Sequence, residues 1–277
     1  MDAPFPIDYG DPDVVAVFDE LPLWSAPFGL KLLSLVRYRR GISALDVGCG
    51  TGFPMLELAE RLGDSCHVSG LDPWEAAVER LHTKIRVRSI QNATPIVGRA
   101  EEMPFQDGTF DLIVSNNGLN NVEDPDAALI ECARVSKPGA QLVATVNLPE
   151  TMKEFYDVYE TTLAALRLKG LVAALHDHIA VRRRPAAAVR QSIEQAGFRV
   201  DREEFDEFAM EFTDGSALFR HFFIQLAFLD AWRAVVPEAE RGRVMERLET
   251  DLNDHAHGRG TLRLTVPFVA LSATRKA

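Results

Sequence analysis

Between residues 42 and 149, short apolar runs alternate with longer stretches in which apolar residues recur every three or four positions. Short apolar runs are typical of buried strands, and the longer period is typical of amphipathic helices. The candidate strands are ISALDVG, CHVSGLD, TPIVGRA, FDLIVSN and QLVATVN. Strands that alternate with helices predict a parallel sheet covered by helices.

The pattern changes after residue 150. Helical periodicity fills residues 151–196, FRVDREEFDEF is typical of a strand, one long helix is predicted after Ser216, and LRLTVPFVALSA is typical of a final strand. The apolar segment 217–236 is interrupted by charged residues, so no membrane span is predicted. Since the chain also begins without a basic and apolar leader, we expect a cytoplasmic protein.

Composition narrows the function classes further. The 277 residues suit one large domain or a domain with an appended lid. The net charge is −11, and the basic clusters at 37–40 and 182–184 are short, so we expect no nucleic-acid partner. Three cysteines without a close pair encode neither a disulfide framework nor a zinc site. The histidine pairs at 176/178 and 255/257 have a spacing that turns their rings to different helix faces, so we expect no metal.

The stretch ALDVGCGTGFP, residues 44–54, combines a buried strand with a glycine-rich turn. Such a turn lets a ligand approach the backbone near a helix N-terminus. Gly48, Gly50 and Gly52 give G-x-G-x-G, whereas a dinucleotide-binding turn has its third glycine where this chain has Phe53. The spacing therefore favours S-adenosylmethionine over a nicotinamide dinucleotide.

Five motifs in order carry a family resemblance: LDVGCGTG, LDP, GRAEEMPF, FDLIVSNNGLNNV and RVSKPGAQLV. Over roughly residues 42–149 they resemble the class I S-adenosylmethionine-dependent methyltransferases, particularly the ubiquinone and menaquinone biosynthesis branch. The resemblance implies an α/β, Rossmann-like fold with a mixed seven-stranded sheet, helices on both faces and a helical cap. It also implies S-adenosylmethionine as the cofactor.

The resemblance assigns roles to residues at the ends of the predicted strands. The three glycines of the turn would border the methionine part of the cofactor. Asp46 would position the loop or the cofactor's amino group, or else cap a turn, and Asp72 would accept hydrogen bonds from both ribose hydroxyls. The implied cofactor-binding residues are Asp46, Gly48, Cys49, Gly50, Gly52, Asp72, Pro73, Arg99, Ala100, Glu101, Asn116 and Asn117.

Two departures from the family pattern affect the chemistry. Arg99 stands where the family commonly has Asp in the adenine segment; its guanidinium either stacks on the adenine or is solvated. Asn117, Asn120 and Asn121 stand in a loop where relatives often carry His, and asparagine cannot take up a proton near neutral pH. A base must therefore come from elsewhere if the acceptor needs one.

Candidate catalytic and substrate residues lie largely outside the motifs. His176, His178, His221 and Tyr156 are the catalytic candidates. The substrate candidates are Trp24, Asn120, Asn121 and Tyr159. Trp24 either closes over the cofactor or belongs to a helix that anchors the N-terminus, and the apolar segment 217–236 either packs against the sheet or contacts the substrate.

The predicted domains are an N-terminal helical segment (1–41), the cofactor-binding half of the sheet domain (42–150), helical cap insertions (151–184 and 213–258), and the last helix with strands six and seven (185–212 and 259–277). We expect methyl transfer by in-line displacement to a small, partly apolar molecule. The alternatives are a non-catalytic S-adenosylmethionine-binding module and a nicotinamide-dependent oxidoreductase. The sequence leaves the oligomeric state open.

Overall fold

The computed structural model of the protein describes residues 7–181 and 183–277. Residues 1–6 of the predicted N-terminal segment and Arg182 of the second basic cluster lie outside these described residues. Seven strands of the described chain form one sheet: β1 Ser43–Val47, β2 His67–Asp72, β3 Ala93–Val97, β4 Phe110–Asn116, β5 Ser136–Asn147, β6 Phe198–Phe212 and β7 Leu262–Arg275.

The strand order is β3-β2-β1-β4-β5-β7-β6. Strands β1 to β5 pair in parallel, and β7 pairs antiparallel with β5, from Gln141 opposite Thr274 to Asn147 opposite Phe268. The predicted α/β class with a mixed seven-stranded sheet is therefore confirmed. Because the order reverses between β1 and β4, the carboxyl ends of these two strands flank a crevice of the kind that binds ligands in open sheets.

The helices follow the predicted periodicity in most of the chain. They are α1 Pro12–Asp19, α2 Ser25–Leu35, α3 Met55–Leu62, α4 Glu75–Arg88, α5 Pro125–Val135, α6 Lys153–Ala165, α7 Val172–Val181, α8 Ala186–Gln195, α9 Gly215–Arg220, α10 Phe222–Ile224, α11 Asp230–Ala234 and α12 Glu238–Arg259. Gly63 ends α3, and the Asp124 side chain caps the start of α5 by accepting from the amides of Asp126 and Ala127.

The single long helix predicted after Ser216 is instead broken. His221 is extended (φ −67°, ψ 123°) between α9 and α10, and a π-helical turn occupies Gln225–Leu229. The Gln225 side chain donates to the carbonyl of Phe219 at 3.0 Å, which satisfies an oxygen that the break leaves without a helical partner. Hydrophobic periodicity could not predict this break, because the segment has apolar residues on all faces.

The chain divides into two compact units. One contains Asp8–Asn147, Arg184–Asp206 and Phe268–Ala277, and we call it the sheet unit; the other contains Leu148–Arg183 and Glu207–Pro267, and we call it the helical unit. Among the described residues, none of the helices has both the length and the apolar character needed to cross a membrane.

Within the sheet unit, Gln141 fastens the end of α2 to the sheet. Its buried amide nitrogen donates to the Leu35 carbonyl and to the Ser272 hydroxyl, both at 2.8 Å, and its oxygen accepts from the Arg37 amide at 2.9 Å. At the other end of the helix, the Ser25 carbonyl accepts from the Asn116 side chain at 3.1 Å. Helix α2 is thereby held at both ends, which places Trp24 beside the carboxyl end of β4.

We predict that Gln141→Leu lowers the free energy of unfolding by about 2 to 4 kcal/mol, because it leaves buried polar partners unsatisfied. Urea unfolding measures this loss. Gln91→Leu is the control, since Gln91 is exposed and bonds only to the nearby Ser89 carbonyl; it should change stability by less than about 0.5 kcal/mol. Equal effects of the two substitutions would contradict the anchoring role.

Candidate functional site

The glycine-rich turn begins where β1 ends and leads into α3. The amides of Gly48 and Cys49 both donate to the Leu71 carbonyl of β2, at 2.8 and 3.2 Å. A Cβ atom on Gly48 would lie 3.1 Å from the Cα of Gly118, and one on Gly52 would lie 2.5 Å from the Leu81 side chain. These two glycines therefore permit close packing, Gly48 against the loop after β4 and Gly52 against α4.

Gly50 differs from Gly48 and Gly52 because a side chain at its position would not contact any protein atom. A Cβ atom there would meet nothing within 4 Å, although its φ of 48° is in the left-handed region that favours glycine. Its amide donates to the Asp72 carboxylate at 2.8 Å. The turn thus leaves free space beside Gly50, as a backbone that a ligand approaches closely requires.

Asp72 ends β2 and holds two backbone segments. One carboxylate oxygen accepts from Gly50, and the other accepts from the Trp74 amide at 2.9 Å, just before α4 begins. Burial raises the pKa of Asp72, while these two hydrogen bonds counteract that rise. Each oxygen keeps a second lone pair, so the carboxylate can still accept two hydroxyl groups.

Asp46 is fully buried in β1, and neither of its carboxyl oxygens has a hydrogen-bond partner among the described residues. Burial, and then the charge of Asp72, raise the pKa of Asp46 to about 8. The Met55 amide opposes this rise without completing a hydrogen bond. Of the two carboxyl groups, Asp72 holds the negative charge because it accepts two amide bonds, and Asp46 is protonated at neutral pH.

A cavity of about 300 Å³ opens at the carboxyl ends of β1, β2 and β4. It brings together ten of the residues predicted for the cofactor or substrate: Trp24, Gly48, Asp72, Pro73, Arg99, Ala100, Glu101, Asn116, Asn117 and Asn121. Asp46, Cys49, Gly50, Gly52 and Asn120 are not among its lining residues. Its volume is at the lower end of the range for small-molecule sites.

Arg99 pairs with acidic residues at the cavity instead of standing alone in solvent. Its guanidinium contacts the Glu123 carboxylate at 2.7 Å and lies 3.7 Å from Glu101. Glu101 in turn accepts from the amides of Glu123 and Asp124 at 2.9 and 3.2 Å. The segment after β3 is therefore joined to the segment before α5, and both line the cavity.

The asparagine-rich loop after β4 satisfies its own polar groups. The Asn117 side-chain oxygen accepts from the Asn147 amide at 2.9 Å and from Asn120 at 3.0 Å, and Asn120 also bonds the Asn147 side chain. Asn121 donates to the Asn117 carbonyl at 3.3 Å. These bonds fix the loop at the edge of the cavity and account for asparagine where a base was expected.

The predicted catalytic residues lie in the helical unit, where Tyr156 is bonded to His178 and lines a cavity together with His176. The Tyr156 hydroxyl lies 3.2 Å from Nε2 of His178. His176 instead pairs with Glu160 at 3.1 Å. His221 packs edge-on against Phe212, and its Nδ1 has no partner among the described residues.

Tyr156 and Tyr159 differ in their hydrogen bonding. The buried Tyr156 hydroxyl accepts from Nε1 of Trp232 at 3.0 Å and from Arg183 at 3.1 Å, so its own hydrogen is directed to His178. The Tyr159 hydroxyl donates to the Trp232 carbonyl at 3.0 Å, and burial raises its pKa. Tyr159 is fully buried, which gives it a packing role in this unit.

The cavity also contains residues that the sequence analysis did not select. They are Ser25, Leu71, Gly98, Gly118, Val122 and Glu123. Leu71 and Gly98 directly precede Asp72 and Arg99, so the strand ends could have indicated them. Glu123 could not have been found from its own position, because its contacts with Arg99 and Glu101 hold it at the cavity. The described residues contain no group of three or more His, Cys, Asp or Glu placed to hold a metal ion.

We predict that Asp46→Asn removes a pH-dependent loss of stability. The unfolded carboxyl ionises near pH 4, whereas the folded one keeps its proton to about 8. The folded state therefore binds more protons in this window, and stability falls as pH rises through it. From about pH 5.5 to about pH 8.5, the wild type should lose about 2 to 3 kcal/mol more than the variant in urea unfolding. Parallel pH profiles of the two proteins would show that Asp46 ionises normally.

Residues 45–144 match a family model described as a methyltransferase domain. A demethylmenaquinone methyltransferase from Listeria welshimeri is 39% identical over 133 residues, which are 47% of this chain and 56% of that protein. One from Anoxybacillus flavithermus is 37% identical over 121 residues, 44% of this chain and 51% of that protein. The chain thus spans about half the length of the curated relatives it matches.

Solved structures show the same fold. A SAM dependent methyltransferase from Aquifex aeolicus aligns with a TM-score of 0.54 and 22% identity, over 70% of this chain and 91% of that chain. The fold of the chain is thus shared with structures of low sequence identity. Residues 45–144 thus match a methyltransferase domain, and over 133 residues the chain is similar to a demethylmenaquinone methyltransferase.

Proposed function

We propose that the protein is an enzyme that transfers a methyl group from S-adenosylmethionine to a small, partly apolar molecule. The observation that carries this proposal is the cavity beside the glycine-rich turn, with Asp72 in its wall. All of its lining residues except Trp24 and Ser25 belong to the segment that matches the methyltransferase domain. The family match also supports S-adenosylmethionine as the cofactor. The relatives' names make a quinol-like acceptor the first class to test.

The residues of the cavity fit this cofactor. Asp72 retains acceptor capacity for a ribose diol, and the space beside Gly50 admits a ligand close to the backbone. The Trp24 ring and the small residues Gly98 and Ala100 supply apolar surface for a flat base. Asp46 lies in β1 directly before the turn, and neither of its carboxyl oxygens bonds the loop or any other described residue.

S-adenosylmethionine supplies a methyl group on a sulfonium, which is an activated leaving group. The chain therefore needs to align the acceptor and exclude water, and these effects account for much of the rate enhancement in such reactions. The bonds of Ser25 to Asn116 and of Asn117 to Asn147 keep the cavity wall rigid for this purpose. No base is needed there for an acceptor that is already nucleophilic.

For an acceptor that must lose a proton, we propose His178 with Tyr156 as the proton-accepting pair. Tyr156 already accepts two N–H donors, so its hydrogen points to Nε2 of His178. Transfer of that proton to His178 leaves a tyrosine oxygen that Trp232 and Arg183 stabilise and that can take the proton of the acceptor. Tyr156 also lines a cavity of about 220 Å³ with Pro149, Leu175 and Ile179, inside the helical unit. Glu150, Lys153, Asp157, Glu160 and His176 line the rest of this cavity, so it offers both apolar and charged surface to an acceptor.

The alternatives have weaker support. Phe53 stands at the third glycine position of a dinucleotide turn, and a Cβ atom on Gly29 of α2 would lie 2.2 Å from its ring. The aromatic ring therefore packs against α2, in a place that a dinucleotide turn keeps bare. A non-catalytic binding module would use the same cavity but consume no cofactor.

The cytoplasmic location and the helical cap over an acceptor pocket stay proposals.

Turnover tests the proposed function. The protein is incubated with S-adenosylmethionine carrying a labelled methyl group, first with reduced demethylmenaquinone and then with a metabolite extract, and products are analysed by mass spectrometry. We expect a labelled product together with S-adenosylhomocysteine. Cofactor binding without consumption in either mixture would overturn the enzyme and favour the binding module.

We predict that Asp72→Asn weakens S-adenosylhomocysteine binding by about ten- to a hundredfold, because it removes the charge and one acceptor oxygen from the ribose site. Isothermal titration calorimetry measures this change. Asp111→Asn is the control: Asp111 also accepts a backbone amide, from Ser43, but lies at the start of β4. Equal affinities of the two variants would remove Asp72 from the cofactor site.

We predict that Gly50→Ala weakens S-adenosylhomocysteine binding at least about tenfold, because the new methyl group occupies space that the ligand needs. Gly108→Ala separates this effect from backbone strain, since Gly108 also has a positive φ, of 61°, and no atom within 4 Å of its Cβ position. Both variants should lose about 1 kcal/mol of stability. If Gly50→Ala binds like Gly108→Ala, the turn is structural only.

A further inference from the structure

We call the N-terminal segment Tyr9–Asp19 the clasp. It bonds residues on or next to α4, and two of these residues in turn bond Asp72 and the glycine-rich turn. At its first end, the Tyr9 carbonyl accepts from the indole Nε1 of Trp74 at 2.7 Å. The backbone amide of the same Trp74 donates to Asp72. A single residue, Trp74, therefore connects the clasp to the Asp72 carboxylate, which we propose binds the ribose.

The second end of the clasp reaches the glycine-rich turn through Lys84. The Lys84 ammonium donates to the Asp19 carboxylate at 2.7 Å and to the Thr51 carbonyl at 2.8 Å. Thr51 stands between Gly50 and Gly52. Asp19 also accepts from Arg80 at 3.0 Å. One ammonium thus bridges a helix of the clasp and the backbone of the turn.

The bridge through Lys84 depends on the pairing of its charge with the charge of Asp19, because both side chains are largely buried. The Lys84 side chain is 19% exposed and that of Asp19 is 10% exposed. Burial opposes ionisation of Asp19, but hydrogen bonds and charge from Lys84 and Arg80 outweigh it and hold its pKa below the ordinary value. Without the Asp19 carboxylate, the Lys84 ammonium is more stable when it is hydrated. It then turns toward water, and the Thr51 carbonyl loses a charged donor.

We infer that docking of the clasp and binding of the cofactor are coupled, with Lys84 and Asp19 as positioning residues for the turn. The inference rests on the proposed function, because the ligand in question is the cofactor. Free-energy coupling is reciprocal, so a clasp that orders the turn must itself be stabilised when the cofactor occupies the site. Arg80 supports this arrangement by holding the second oxygen of Asp19.

Calorimetric titration with S-adenosylhomocysteine tests the first half of the coupling. Asp19→Asn and Lys84→Met should each raise the Kd by about three- to tenfold. Lys84→Arg keeps a charged donor and should recover most of the affinity. The controls make the same charge changes on the same helices at exposed sites: Asp13→Asn on α1 and Arg86→Gln on α4 should leave the Kd unchanged.

Hydrogen exchange tests the second half of the coupling, first on the wild-type chain and then on Asp19→Asn. S-adenosylhomocysteine should slow amide exchange in the clasp, and Asp19→Asn should abolish that slowing. Unchanged exchange in the clasp, or unchanged Kd values in both variants, would overturn the coupling while leaving the proposed function intact. Absence of binding to the wild type would overturn the proposed function and the coupling with it.

Discussion

The carboxylate of Asp72 joins the two backbone segments that form the candidate site. One oxygen accepts from Gly50 in the turn after β1, and the other accepts from Trp74 at the start of α4. The parallel sheet makes this arrangement available, because the carboxyl ends of neighbouring parallel strands meet at one edge. The conformation of the turn and the position of Trp74, which bonds the first end of the clasp, depend on this one side chain.

A second carboxyl group next to this one imposes an electrostatic constraint. Asp46 is fully buried in β1 without a hydrogen-bond partner in the described part of the chain, and burial, together with the charge of Asp72, raises its pKa and keeps it protonated. Since Asp46 is neutral and Asp72 is ionised, the negative charge of the pair lies on Asp72, which lines the cavity. The cost of the unpaired group falls on folding stability, as is common where a site is arranged for binding.

Local sequence features predicted the sheet and the turn, and they could not predict contacts between distant residues. The five apolar runs became β1 to β5, and the glycine spacing located the turn, because both signals are short-range. The pairing of Arg99 with Glu123 joins residues that have no sequence pattern in common. Likewise, Asn117 binds Asn147 and Asn120, so the asparagines resembled ligand-binding groups although they mostly satisfy one another. The break at His221 was hidden because apolar residues surround it on every face.

The central claim is that the cavity beside Asp72 binds S-adenosylmethionine, and calorimetric titration of the wild-type protein tests it most directly. The chain is titrated in parallel with S-adenosylhomocysteine, which has the same ribose and adenine as the cofactor but lacks the methyl group, and with NAD. We expect saturable binding of S-adenosylhomocysteine with one molecule per chain, and no heat of binding for NAD. Saturable binding of NAD without binding of S-adenosylhomocysteine would contradict the claim.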